Sequence, residues 1–293
     1  KHSAGISVRF FSNSTTVRVK WELLNDAKMN HMAETGIKGI DLYYKAMNEW
    51  QYVNTARPEG KTNEFLLVSN MTSERREYKM YLPLYDGVTK LEVGIDSLAY
   101  IIKPERQKIK PIVFYGTSIT QGGCASRTGM VHTSIISRKL DIDCINLGFS
   151  GNGRMEKPVA ELISAIDALF YVIECAENMS PGEINDNTGP LLEIIRKNHP
   201  STPVIFVNNM IYEKSSLDEM TMKNIAEKNE MFEKVFRKLE NSGYKNIFFI
   251  DKTRSLGDDH EATVDGVHLT DLGFMRYADF LVGKFKELGL PLE

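Results

Sequence analysis

Through the first third of the chain, hydrophobic and polar positions alternate in short runs. Over residues 7–24, β-branched and aromatic residues occupy near-alternating positions, interrupted by Ser12, Asn13 and Ser14, which reads as a hairpin. Similar runs cover residues 39–45, 49–54, 63–67, 76–82 and 90–95, separated by Gly, Pro, Asn and Asp clusters. Short strands at this spacing predict an all-β sandwich. Beyond residue 111 the period changes. Brief apolar runs at 112–115, 143–147, 169–175, 204–208 and 246–250 alternate with longer amphipathic ones at 128–140, 157–165, 189–198, 218–241 and 271–288. That order predicts βαβ units with right-handed crossovers, a five-stranded parallel sheet and a three-layer α/β/α domain. The change falls at residues 103–111, a mainly basic stretch with two prolines that reads as a connection. The expected division is residues 1–105 and 106–293.

Composition narrows the partners. The 293 residues are 42% hydrophobic and 26% charged, enough for an ordinary core, and a net charge of -3 offers no field to attract nucleic acid or anionic lipid. The apolar runs stop short of the ~18 residues that a membrane span requires. The first residue is Lys1 rather than Met, which fits a mature form whose signal peptide has been removed. Cys124, Cys144 and Cys175 are too few and too widely spaced for a zinc site or a disulfide framework, so free thiols in or near the core are expected. Trp21 and Trp50 both fall in the sandwich. Exposed, they would stack on sugar rings; buried, they are core.

The first parallel strand breaks abruptly into Gly116-Thr117-Ser118, a turn that would hold the serine hydroxyl at the carboxyl end of the sheet, where open α/β folds bind ligands. Serine is equally a favoured helix N-cap, so this stretch alone allows either reading. Three more features fall at predicted strand ends. The run Asn146-Leu-Gly-Phe-Ser-Gly-Asn-Gly153 has glycines that let the backbone aim amide hydrogens at a ligand; Asn178 follows the third strand; Asp265-Gly-Val-His268 precedes the last helix. A carboxylate three residues before a histidine can hold one imidazole nitrogen and leave the other to accept a proton. Each feature also has a purely structural reading, as a cap or a turn. Together they supply a nucleophile, a base, an orienting acid and oxyanion donors. His132, nearest Ser118 in sequence, is the alternative base. A phosphate-binding loop at residues 116–123 is a poor fit, because neither a P-loop nor a Rossmann glycine pattern is present.

These blocks, in this order, resemble those of the SGNH, or GDSL-type, hydrolases over residues 110–290. Gly39-Ile-Asp-Leu-Tyr43 with Leu82-Pro-Leu-Tyr85 is similar to the sandwich that precedes the catalytic domain in a bacterial branch of that superfamily. The resemblance implies a flavodoxin-like hydrolase domain behind a jelly-roll-like sandwich. It also implies Ser118 as nucleophile, His268 as base, Asp265 as its partner, and an oxyanion hole formed by Ser118 and Gly151 N–H groups with the Asn178 amide. Thr117 stands where the family name has Asp, and Glu177-Asn178-Met179 where Gly-Asn-Asp is usual. The implied activity is a serine esterase acting on short acyl esters, acetyl groups of plant polysaccharides among them, with no metal or organic cofactor and an extracytoplasmic location, periplasmic or secreted. The implied partner is a small-molecule or polysaccharide ester. The alternatives are an esterase or lipase acting on a non-carbohydrate ester and, from another class, a carbohydrate-binding protein with an inactive hydrolase domain, against which the intact Ser118, Asp265 and His268 argue.

Overall fold

The computed structural model describes residues 1–105 and 107–292. Its first part runs β1 (Ser7–Ser12), β2 (Val17–Leu23), a single turn α1 (Glu34–Ile37), β3 (Ile40–Ala46), β4 (Glu49–Ala56), β5 (Thr62–Val68), β6 (Arg76–Tyr81), β7 (Val88–Gly94) and β8 (Ile101–Ile102). Two antiparallel sheets form, ordered β4-β3-β6-β1-β8 and β5-β2-β7. Alternate residues turn inward: Val17, Val19, Trp21 and Leu23 of β2 meet Phe10, Ile40, Leu42, Tyr78 and Met80 of the larger sheet in one core. The hairpin expected over residues 7–24 does not form. β1 pairs with β6 and β8, and β2 with β5 and β7, so residues 13–16 cross between sheets. Asp96 holds the crossing by accepting from the hydroxyls of Ser14 and Thr15 at 2.9 and 2.7 Å. Alternation reports which face of a strand is buried, not which strand lies beside it.

The second part contains β9 (Ile112–Gly116), α2 (Ser118–Gln121), α3 (His132–Leu140), β10 (Cys144–Gly148), α4 (Lys157–Ile163), β11 (Phe170–Glu174), α5 (Pro181–Asn198), β12 (Val204–Val207), α6 (Glu219–Asn241), β13 (Ile247–Ile250) and α7 (Asp271–Glu287). The five strands are parallel in the order β10-β9-β11-β12-β13, which is the flavodoxin-like 2-1-3-4-5 arrangement. Both faces are covered. Ile112, Phe114, Phe170, Val172 and Ile205 pack with Ile135 of α3 and Phe274, Leu281 and Phe285 of α7. The intervening Val113, Tyr115, Tyr171, Ile173 and Phe206 pack with Ile163 of α4, Leu191 of α5 and Phe232 of α6. A period of two with both faces buried is why these strands read as unbroken apolar runs.

Two helices differ from expectation. Helix α5 begins at Pro181, eight residues before the expected 189. Ser180 and Glu183 form a capping box there, and tertiary packing of Ile184 and Thr188 overrides the loop-like residues 185–190. The helix expected from 128 starts as a 3-10 turn, Thr128–Met130, and becomes α-helical only at His132, after the extended Val131. The connection expected over residues 103–111 includes Arg106, which lies outside the described residues. Among the described residues, no helix is long and apolar enough to cross a membrane.

The sandwich is stitched to the chain just after α2. Asp41, fully buried, accepts from Arg127 Nη1 at 2.7 Å, from the Gly129 N–H at 2.8 Å and from Thr55 Oγ1 at 2.7 Å. Thr35 Oγ1 donates to the Ser126 carbonyl at 2.5 Å, and Tyr85 OH to the Ser118 carbonyl at 3.3 Å. Neither tryptophan is a free sugar platform. Trp21 is 1% exposed and donates to the Lys38 carbonyl. Trp50 donates to Asp141 at 2.8 Å, with Arg9, Lys45 and Lys79 5.5 to 5.8 Å from its ring. Cys124, Cys144 and Cys175 are free thiols.

Candidate active site

In a 2-1-3-4-5 sheet the chain reverses its direction of travel between the first and third strands, and the loops leaving those strands part to open a crevice. Here the crevice lies at the carboxyl ends of β9 and β11. β9 ends at Gly116, Thr117 caps α2, and Ser118 is its first residue, half-buried. A first-turn residue has no carbonyl four positions back to receive its N–H, so the Ser118 amide is one of the helix's free donors.

Ser118 Oγ lies 2.9 Å from His268 Nε2, and His268 Nδ1 lies 2.7 Å from Asp265 Oδ2. The other Asp265 oxygen accepts from the backbone N–H groups of His268 at 2.8 Å and Val267 at 3.1 Å, so the carboxylate is held on three donors. Burial pushes the Asp265 pKa up; the bonds from the His268 ring and the two amides outweigh it and keep the group below its ordinary value, ionised at neutral pH. With Nδ1–H directed at an anion, Nε2 carries the lone pair that faces the serine. The side chains of His268 and Asp265 remain 23% and 35% exposed. The site is thus open to solvent.

The glycine-rich loop folds over the end of β9. The Phe149 N–H donates to the Gly116 carbonyl at 2.9 Å, and Gly153, at φ +75°, passes so close that a Cβ would sit 2.2 Å from the same oxygen. Gly151, exposed and at φ +68°, forms the outer bend. Asn178 belongs to the 3-10 turn Ala176–Asn178, and its amide donates to the Asn152 carbonyl. The two outer blocks are therefore tied to each other and, through the loop, to β9. The departure at Glu177 has a structural counterpart: its carboxylate pairs at 2.5 Å with Lys252 Nζ, both side chains being almost fully buried, and this anchors the turn beside β13.

His132 is buried in α3 with Nε2 3.2 Å from Glu174 Oε2, so the alternative base is occupied elsewhere. Glu174, at the end of β11, was not expected from the sequence as a site residue. It accepts from Thr120 Oγ1 at 3.0 Å and from Tyr277 OH, joining α2, which carries Ser118, to α7, which follows His268. Burial alone would raise its pKa; His132, Lys252 and the Tyr277 hydroxyl outweigh that and lower it from 4.5 to about 2. Its contribution to stability is thus complete above about pH 4.5 and is lost as the pH falls toward 2. Glu174→Ala should cost about 3–5 kcal/mol, because it leaves His132 buried without its anion and the hydroxyls of Thr120 and Tyr277 without their acceptor. Urea titrations at pH 7 and pH 3 check this: the deficit of the variant should shrink at the lower pH.

Beside these three side chains, the ring of His31 lies 5.8 Å from that of His268. Cys124 is buried at φ +70°, and burial together with the nearby Asp265 pushes its thiol up to about 11, which favours the protonated form.

Residues 109–286 match the GDSL-like lipase/acylhydrolase family, and residues 1–101 match the N-terminus of SGNH-hydrolase-type esterases. A protein described as a GDSL-like lipase from Bacteroides ovatus is 39% identical over 98% of this chain and 85% of its own, with a TM-score of 0.94. The salicylyl-acyltransferase SsfX3 from a tetracycline biosynthetic pathway shares the fold at 18% identity and TM-score 0.83, over 100% of this chain and 85% of its own. So does a family two carbohydrate esterase from Clostridium thermocellum in complex with cellohexaose, at 15% identity and TM-score 0.74, over 99% of this chain and 94% of its own. No curated protein sequence matches this chain.

Proposed function

Because this chain belongs to the GDSL-like lipase/acylhydrolase family and is an ester hydrolase, we propose that it removes short acyl groups, acetyl above all, from carbohydrate esters through an acyl-enzyme on Ser118. The observation that carries this reading is the continuous relay from Ser118 Oγ through the His268 ring to Asp265, at 2.9 and 2.7 Å. His268 Nε2 takes the serine proton as Oγ attacks the ester carbonyl. Asp265 stabilises the imidazolium that forms, and the sugar alcohol leaves with that proton. Water, deprotonated by the same nitrogen, then releases the acid. The carbonyl oxygen, negatively charged in both tetrahedral intermediates, is received by the Ser118 and Gly151 N–H groups and the Asn178 amide. Asn178 has two N–H bonds and spends one on Asn152, so one remains for the oxyanion. Residues 1–105 form the sandwich that braces this hydrolase domain, residues 106–293.

The carbohydrate preference is supported by the open triad and by the same two-part fold in a carbohydrate esterase crystallised with cellohexaose. An enzyme acting on such polymers works in the periplasm or outside the cell. The test is acid release from p-nitrophenyl acetate, p-nitrophenyl octanoate and acetylated xylan. The two acetyl substrates should be turned over well and the octanoate poorly; preference for octanoate would overturn the assignment. Asn178→Ala should lower kcat by about 100- to 1000-fold while the protein remains folded. Wild-type turnover in that variant would remove Asn178 from the site.

A further inference from the structure

We propose that the triad doubles as an inhibitory binding site for a thiophilic divalent cation, zinc by its chemistry, assembled from His31, Cys124, Asp265 and His268. Each of these residues offers one ligand atom, and the four atoms lie within 4.8 Å of one another. Donors around a tetrahedral zinc, with bonds of about 2.0–2.3 Å, stand roughly 3.3–3.8 Å apart, so closure needs movements of about an ångström. The donor set is also selective. Two imidazoles and a thiol with one carboxylate suit zinc, whereas calcium and magnesium take oxygen ligands.

The surroundings are those of a metal-binding histidine. His31 Nδ1 lies 2.9 Å from Asn30 Oδ1. An oxygen on one ring nitrogen fixes the tautomer whose other nitrogen ligates. The four residues come from three separate places: the loop before α1, the turn after α2 and the loop before α7. Coordination removes the thiol proton outright and releases it to solvent. It also disables the base. An ion shared by Asp265 and His268 enters at Nδ1 and displaces the proton held there, which leaves the ring's proton on Nε2 and no lone pair to face Ser118. Metal binding and ester turnover are then mutually exclusive.

The site rests on these residues alone; its consequence for activity rests on the function proposed above. The experiment therefore has two readouts on chelator-treated full-length protein: zinc stoichiometry by calorimetry with metal analysis, and p-nitrophenyl acetate turnover. Wild type should bind one equivalent and lose activity by roughly tenfold or more, restored by EDTA. His31→Ala and Cys124→Ser should hydrolyse the ester as wild type does, while their zinc affinity falls by at least the roughly 10- to 100-fold that outer-shell partners are worth. Cobalt should give a thiolate charge-transfer band in wild type and His31→Ala but not in Cys124→Ser. Absence of saturable binding, or binding and inhibition unchanged in both variants, would overturn the proposal. Zinc binding that depends on His31 and Cys124 in a protein inactive on every ester would leave the metal site standing and defeat the esterase assignment.

Discussion

Ser118→Ala is expected to lower kcat on p-nitrophenyl acetate by about a million-fold while the protein keeps its melting temperature. The size follows from chemistry. Without Oγ there is no acyl-enzyme, and what remains is water attack assisted by the oxyanion donors. The structural cost is small, because Oγ bonds only to His268 Nε2 among the contacts described, and Thr117, not Ser118, caps α2. The variant should still bind substrate, so KM should change little while kcat collapses. A residual rate within tenfold of wild type would mean that another group attacks the ester, and the relay would have to be reassigned.

Asp265→Asn should cost about 10,000-fold in kcat, more than loss of any single oxyanion donor. An asparagine keeps the shape and can still accept from the backbone N–H groups of Val267 and His268, as Asp265 Oδ1 now does. It then turns its NH2 toward the imidazole. That donor favours a lone pair on Nδ1 and the proton on Nε2, the tautomer that cannot deprotonate Ser118. The imidazolium also loses its counter-ion. Stability should barely change, since the site is partly open and the loop amides stay bonded. Comparing kcat with thermal melting separates this outcome from misfolding; a variant with full activity would show that Asp265 only shapes the loop.

Much of the catalytic half was legible because its signals are local. Ile112 to Tyr115 is apolar without interruption because both faces of β9 are covered, and the glycines at 116, 151 and 153 are needed by the backbone itself. Departures began where a partner had to be chosen. Residues 7–24 contain two strands, as their alternation says, yet the strands join different sheets, because pairing depends on β5 to β8 far along the chain. Helix α5 was placed too late because Asn185, Asp186, Asn187, Gly189 and Pro190 are poor helix formers, and only the packing of their buried neighbours Ile184, Thr188 and Leu191 holds the segment helical.

The same division holds at the site. Ser118, and Asp265 three residues before His268, were readable because a strand-to-helix turn and an i, i+3 carboxylate are short-range features. Which strand ends converge is a property of the closed sheet. Glu174, apparently an ordinary strand terminus, becomes the buried anion that unites Thr120, His132 and Tyr277. Glu177 looked like a departure from a motif until Lys252, 75 positions away, neutralised it. His31 and Cys124 have no meaningful spacing to Asp265 and His268 along the chain, yet folding brings their donor atoms within 4.8 Å. Local backbone chemistry is written in neighbouring residues and can be read from them. Charge compensation and ligand convergence act through space, so only the tertiary structure decided them.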